Sequence, residues 1–153
     1  MADGDSGAPH EQRDVGDVAR MFAEAWAAPQ VDRFVALLAE DVVLLQPVTP
    51  PVVGRAAART EFTRLLRWLP DLCGTIDAWS ATGSTVLIAW RLRFTLGGAP
   101  FELRIVDRLE VRDGLIAERE AYFDSLRFLL ATLARPRAWA SYLRYRGYLP
   151  GGG

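Results

Sequence analysis

From Cys73 to Asp124 the hydrophobic pattern has a period of two, whereas the chain before Cys73 keeps a helical period. A period of two sends alternate side chains to opposite faces of a strand, so this stretch reads as strands over 74–82, 85–96, 100–111 and 115–124. Thr82-Gly83-Ser84, Gly97-Gly98 and Arg112-Asp113-Gly114 supply tight turns between them, which makes an antiparallel meander. Ahead of it, Asp14 can cap a helix with the stripe Val18, Met21, Phe22, Ala25 and Trp26. Val31, Phe34, Val35, Leu37 and Leu38 form a second, short helix ending near Glu40. Asp41 opens a strand through Val42 to Pro47, and a third helix buries Ala58, Phe62, Leu65, Leu66 and Leu69 before Pro70. Helices first and paired strands after them predict an α+β fold: a cone-shaped, curved antiparallel sheet wrapped around N-terminal helices and leaving a cavity. After Asp124 the chain turns helical again, which adds an extra C-terminal helix.

At 153 residues the chain is long enough for one domain with a real core and too short for two. Its expected parts are a disordered arm over 1–13, the cone over 14–130, and a basic and aromatic helical tail over 131–153. With 18 basic and 19 acidic side chains, a nucleic-acid partner held by bulk charge is not expected. Every basic residue is Arg, and without Lys, Schiff-base and pyridoxal chemistry are excluded. His10 stands alone in a polar stretch and cannot anchor a triad or a multi-histidine metal site. Cys73 is also single, which excludes an intrachain disulfide or a Cys-rich zinc site and fits a reducing, cytoplasmic setting. The N-terminus lacks signal-peptide order and no apolar run approaches ~20 residues, so no membrane partner is expected. No phosphate loop or metal-spaced cluster calls for a cofactor. Acid–base chemistry then falls to carboxylates, tyrosines or the lone thiol. Abundant Ala, Arg, Gly and Pro beside absent Lys and Asn fits GC-rich DNA and a bacterial secondary-metabolism setting.

One residue breaks the alternation. In strand 100–111, Phe101, Leu103, Ile105, Leu109 and Val111 share a face, Glu102, Arg104, Arg108 and Glu110 share the other, and Asp107 falls on the apolar one. A carboxylate there is costly unless it is paired, hydrogen-bonded or protonated. Pairing across the last turn with Val111 opposite Leu115 sets Asp107 opposite Arg119 and Leu109 opposite Ala117. Such a pair either fixes strand register or serves a small molecule in the cavity as proton carrier or hydrogen-bond donor. The neighbouring strand sends Val86, Ile88, Trp90, Leu92 and Phe94 inward and Arg91 and Arg93 outward. Gln46 shares the parity of Val42 and Leu44 and offers its amide either to the interior or to loop backbone. Beyond Asp124 there are five arginines and no acid, read as a helix whose Trp139, Tyr142 and Tyr145 pack on the body, compatible with a lid over the cavity mouth.

Four strings, Phe34-Val-Ala-Leu-Leu-Ala-Glu-Asp-Val42, Pro50-Pro-Val-Val-Gly-Arg55, Val106-Asp-Arg-Leu-Glu-Val-Arg-Asp-Gly-Leu-Ile116 and Tyr122-Phe-Asp124, carry a resemblance. In their order the chain resembles the nuclear transport factor 2-like superfamily over Asp14 to Leu130, in its SnoaL-like, ketosteroid isomerase-like and limonene epoxide hydrolase-like branches. The resemblance implies a homodimer packed through the outer sheet face and an apolar pocket for steroids, terpenoid epoxides or polyketides. Asp107 matches the aspartic acid that donates a hydrogen bond to the substrate oxygen in ketosteroid isomerase-like proteins. Phe22 stands where those proteins have a tyrosine, and Gln46 where they have the general-base aspartate. The epoxide hydrolase-like relay positions hold Trp90, Ile88, Ala121, Leu44 and Gln46, and only the amide is retained. What both comparisons leave is a pocket with Asp107 and Arg119 as the catalytic pair and Phe22, Trp26, Gln46, Trp68, Trp90 and Phe123 around the substrate. The expectation is a SnoaL-like cyclase or isomerase, independent of any cofactor, acting on an apolar metabolite. The alternatives are a non-catalytic binding or dimerisation domain, and an epoxide hydrolase or epoxide-opening cyclase.

Overall fold

The computed structural model describes residues 8–47 and 49–148, with side chains from Val15 onward. Three helices, α1 (Ala8–Ala27), α2 (Val31–Ala36) and α3 (Arg55–Trp68), alternate with β1 (Leu38–Leu45) and the two-residue β2 (Val52–Val53). The meander follows as β3 (Cys73–Thr82), β4 (Thr85–Leu96), β5 (Ala99–Arg112) and β6 (Leu115–Phe123), and α4 (Ser125–Leu133) and α5 (Pro136–Tyr145) close the chain. This is an α+β fold with one six-stranded sheet in the order β2-β1-β6-β5-β4-β3. All neighbours are antiparallel, as expected, except β1 and β6, which pair in parallel. None of the described helices is long and apolar enough to cross a membrane.

Two N-terminal boundaries move. The helix expected to start at Asp14 starts at Ala8, with Pro9 in its first turn and the good helix formers Glu11, Gln12 and Arg13 behind it. The arm expected over 1–13 is therefore helical from Ala8, and residues 1–7 lie outside the described residues. The second helix stops at Ala36 rather than near Glu40, because β6 and α3 claim the backbone beyond it. Ile116 donates its N–H to Leu37 O (2.8 Å), and the Arg55 guanidinium donates to Leu38 O from Nε (2.9 Å) and Nη2 (2.6 Å). Leu38 and Ala39 thus become buried strand residues.

The β5–β6 register departs from the expectation by two residues. The turn is the two-residue Asp113-Gly114, both at positive φ (53° and 71°), which suits the right-handed twist and puts Arg112 opposite Leu115. A bulge at Ala117 adds a second step between the Val111↔Ile116 and Glu110↔Glu118 pairs. Asp107 therefore faces Ala121, and Arg119 faces Leu109. Two steps preserve parity, so Arg119 still shares the inner face with Asp107 as its diagonal neighbour. The inner faces of β4, β5 and β6 pack on α1 and α3 around Phe22, Trp26, Phe34, Phe62 and Trp90. Arg91 and Arg93 lie on the outer face in surface ion pairs with Asp77 and Glu102, as the alternation predicts.

Candidate functional site

Asp107 is fully buried in the middle of β5, and every polar partner it has is a donor. Arg119 Nε donates to Oδ2 (2.9 Å), Arg119 Nη2 to Oδ1 (3.3 Å), and Trp90 Nε1 to Oδ2 (3.1 Å). Burial pushes the carboxyl up from the ordinary Asp range, against the charge and hydrogen bonds of Arg119 and the indole N–H. A guanidinium cannot give up its proton, so the ionised carboxylate is the form that matches all three donors. Arg119 is itself caged by aromatic faces, its Cζ lying 5.3 Å from the Trp26 ring, 5.9 Å from Phe22 and 6.0 Å from Trp90. Nε and Nη2 are committed to Asp107, while Nη1 has no hydrogen-bond partner among the described residues.

Above this pair lies a cavity of about 120 Å³. Trp26, Gln46, Trp68, Trp90, Arg119 and Phe123 line it, six of the eight residues expected there. Phe22 does not: it is buried behind the wall, edge-on to Trp90 with ring centroids 5.7 Å apart. Asp107 does not line it either, because the Trp90 indole and the Arg119 guanidinium cover its carboxylate. The helical stripe and the strand parity rightly place both residues inward, but neither reveals which inward residue lies in the second layer.

The structure adds polar groups that the sequence reading missed. Glu61 of α3 and Tyr145 of α5 both line the cavity, and the Tyr145 hydroxyl donates to Glu61 Oε1. Burial, and then the Glu61 carboxylate, raise the Tyr145 phenol well above its ordinary range, so it is a donor and not a phenolate. Glu61 had a legible signal: it sits three residues after Ala58 and four before Leu65, on the edge of the apolar stripe of α3. Tyr145 had less, since only tertiary contact brings α5 onto α3. Trp68 stacks on Tyr145 at 4.6 Å and 17°, and its Nε1 donates to Ser141 Oγ at 3.3 Å.

A family model described as a SnoaL-like domain matches residues 18–119, two thirds of the chain. The chain belongs to the SnoaL-like domain family. Solved structures agree on the fold of this SnoaL-like domain. A candidate SnoaL-like polyketide cyclase from Jannaschia sp. CCS1 is similar with a TM-score of 0.72 and 21% identity over 87% of this chain and 100% of its own. TerC, co-crystallised with polyporic acid, is similar at 0.71 and 16% identity, covering 78% of this chain and 98% of its own. An M. tuberculosis LEH-like epoxide hydrolase is similar at 0.68 and 20% identity, covering 83% of this chain and 94% of its own. No curated protein matches the chain. The family match of the SnoaL-like domain ends at Arg119, and the cavity wall continues past it through Phe123, Phe128, Tyr142 and Tyr145.

Proposed function

We propose that this SnoaL-like domain is a cofactor-independent cyclase or isomerase acting on an apolar polyketide-, terpenoid- or steroid-like metabolite. The observation that carries the reading is Arg119: a cation on the wall of a largely apolar cavity, with two donors tied to Asp107 and Nη1 left for a ligand. A preorganised donor in a water-poor site stabilises oxygen charge that develops in an enolisation or ring closure. Asp107 serves this role without moving, by holding the Arg119 guanidinium aimed through two hydrogen bonds. As a proton carrier it needs Trp90 or Arg119 to swing aside first. The volume with α5 docked is near that of an engineered protein cavity that takes benzene, so a polycyclic substrate requires α5 to shift outward.

A non-catalytic carrier is the second reading, favoured by the covered Asp107 carboxylate. Epoxide opening is the third, supported by the fold shared with the epoxide hydrolase and weakened by the missing relay. We also propose that the protein works as a cytoplasmic homodimer, which the single cysteine and the family resemblance support.

The test is product detection by mass spectrometry after incubating wild-type and Asp107→Asn protein with enones, epoxides and linear polyketide mimics, with folding of the variant checked by circular dichroism. Turnover that falls at least tenfold in folded Asp107→Asn supports the reading. Ligands bound but returned unchanged by both proteins would replace it with the carrier.

A further inference from the structure

Ring closure or isomerisation through an enolate needs a base that reaches the substrate carbon, and Asp107 is covered by Trp90 and Arg119. Among the described residues, Glu61 is the only carboxylate that lines the cavity. It is half-buried on α3, and its carboxylate accepts a hydrogen bond from Tyr145 on α5, a segment outside the family match. We infer that Glu61 is the general base of this cavity and Tyr145 its oxygen-binding partner, for substrates that carry a ketone with an acidic α-hydrogen.

The inference rests on the cyclase or isomerase reading and assigns its proton transfer. Glu61 Oε1 takes the proton from the carbon beside the carbonyl, and the C–H electron pair becomes the C=C bond of an enolate. The enolate oxygen accepts the Tyr145 hydroxyl, released from Glu61, and an N–H of Arg119. In an isomerisation Glu61 returns the same proton to a carbon further along the conjugated system. In a cyclisation the enolate carbon bonds to a second carbonyl carbon, and that oxygen receives the proton from Glu61. Protons and electrons balance with no co-reactant. Tyr145 is suited to its part because burial keeps it protonated, and stacking on Trp68 fixes its ring.

The competing explanation is a latch, in which the pair only pins α5 over the cavity. Two variants separate them. Glu61→Gln keeps an acceptor for the Tyr145 hydroxyl and so keeps the latch, but removes the base. Tyr145→Phe removes the latch and keeps the carboxylate. The assay is hydrogen–deuterium exchange at the α-carbon of 4-methylcyclohexanone in D2O, followed by NMR, with the wild-type rate above buffer as reference.

A base contributes ~10²–10⁴-fold. Exchange should therefore fall at least a hundredfold in Glu61→Gln, and by less in Tyr145→Phe. Tryptophan fluorescence should show α5 still docked in Glu61→Gln. Exchange unchanged in Glu61→Gln but lost in Tyr145→Phe would overturn the inference in favour of the latch. Wild-type protein that leaves the ketone at the buffer rate would also overturn it. The cyclase or isomerase reading fails separately, when no member of the enone, epoxide and polyketide panel is converted.

Discussion

Replacing Arg119 with Met tests the account of the buried pair at its most demanding point. The side chain keeps its stem volume but loses its charge, two hydrogen bonds to Asp107 and its three aromatic contacts. Asp107, fully buried, is left with the Trp90 indole alone at 3.1 Å. Removing one partner of a buried ion pair costs about 3–5 kcal/mol, since the group left behind must either stay charged and desolvated or take up a proton. For a domain of this size each 1 kcal/mol moves Tm by ~2–4 °C, so the drop should be roughly 6–20 °C.

The variant should also become more sensitive to alkali. Without Arg119 the largest opposing cause is gone and burial alone raises the Asp107 carboxyl. The folded chain then keeps a proton that the unfolded chain releases above about pH 4. Stability from this group is thus complete below pH 4 and falls as pH rises, by up to ~1.4 kcal/mol per unit, until the folded pKa is passed. Urea titrations followed by tryptophan fluorescence at pH 5, 6, 7 and 8 read this slope against wild type. The double variant Asp107→Leu/Arg119→Met removes both charges and should return to within about 1 kcal/mol of wild type. A loss under about 1 kcal/mol in Arg119→Met, or a double variant no more stable than the single one, would refute the argument.

Two further expectations come from packing and from the outer face. A Cβ added at Gly74 would lie 2.8 Å from Trp26 Cβ and 3.0 Å from Trp90 Cζ3, so Gly74→Ala should cost about 1–3 kcal/mol in urea denaturation, and a neutral result would mean the tryptophans yield freely. Glu110 is held below its usual 4.5 first by Arg108, with Thr85 and Ser84 adding to it, so its contribution is present above pH 4.5 and lost as pH falls through the lowered value. With its side chain 32% exposed the effect is under about 1 kcal/mol, and Glu110→Gln should flatten the acid limb of a Tm-versus-pH curve measured by calorimetry.

The strands and the inward placement of Asp107 were legible because both depend on parity, and parity survives a register error of an even number of residues. The bulge at Ala117 and the two-residue turn shifted the pairing twice, yet left Arg119 on the face that reaches Asp107. Depth was not legible. A period of two says that Asp107 and Trp90 both point inward, but the cover that the indole places over the carboxylate is a matter of side-chain length and ring orientation. The parallel β1–β6 pair was hidden for another reason: it joins segments more than 70 residues apart, and no local pattern of β1 distinguishes a parallel neighbour from an antiparallel one.

The same distinction separates the two ends of the cavity. Its floor is Arg119, Trp26 and Trp90, buried residues inside the family match whose contacts are the core itself. A change there is felt first as lost stability, because each removed atom leaves a cavity or an unpaired charge. Its mouth is Glu61, Trp68, Tyr142 and Tyr145, none fully buried, three of them aromatic and two contributed by a helix beyond the family match. A change at Glu61, Tyr142 or Tyr145 leaves the sheet and the Ala138 anchor of α5 in place and alters the shape and polarity that an entering molecule meets. A scan across both ends should therefore divide cleanly, with floor variants moving the urea midpoint and mouth variants moving ligand affinity or exchange rate at an unchanged midpoint. Mouth variants that unfold the domain as readily as floor variants would show that α5 is held to the core by these side chains as well as by Ala138, and would remove the basis for treating it as a separable cover.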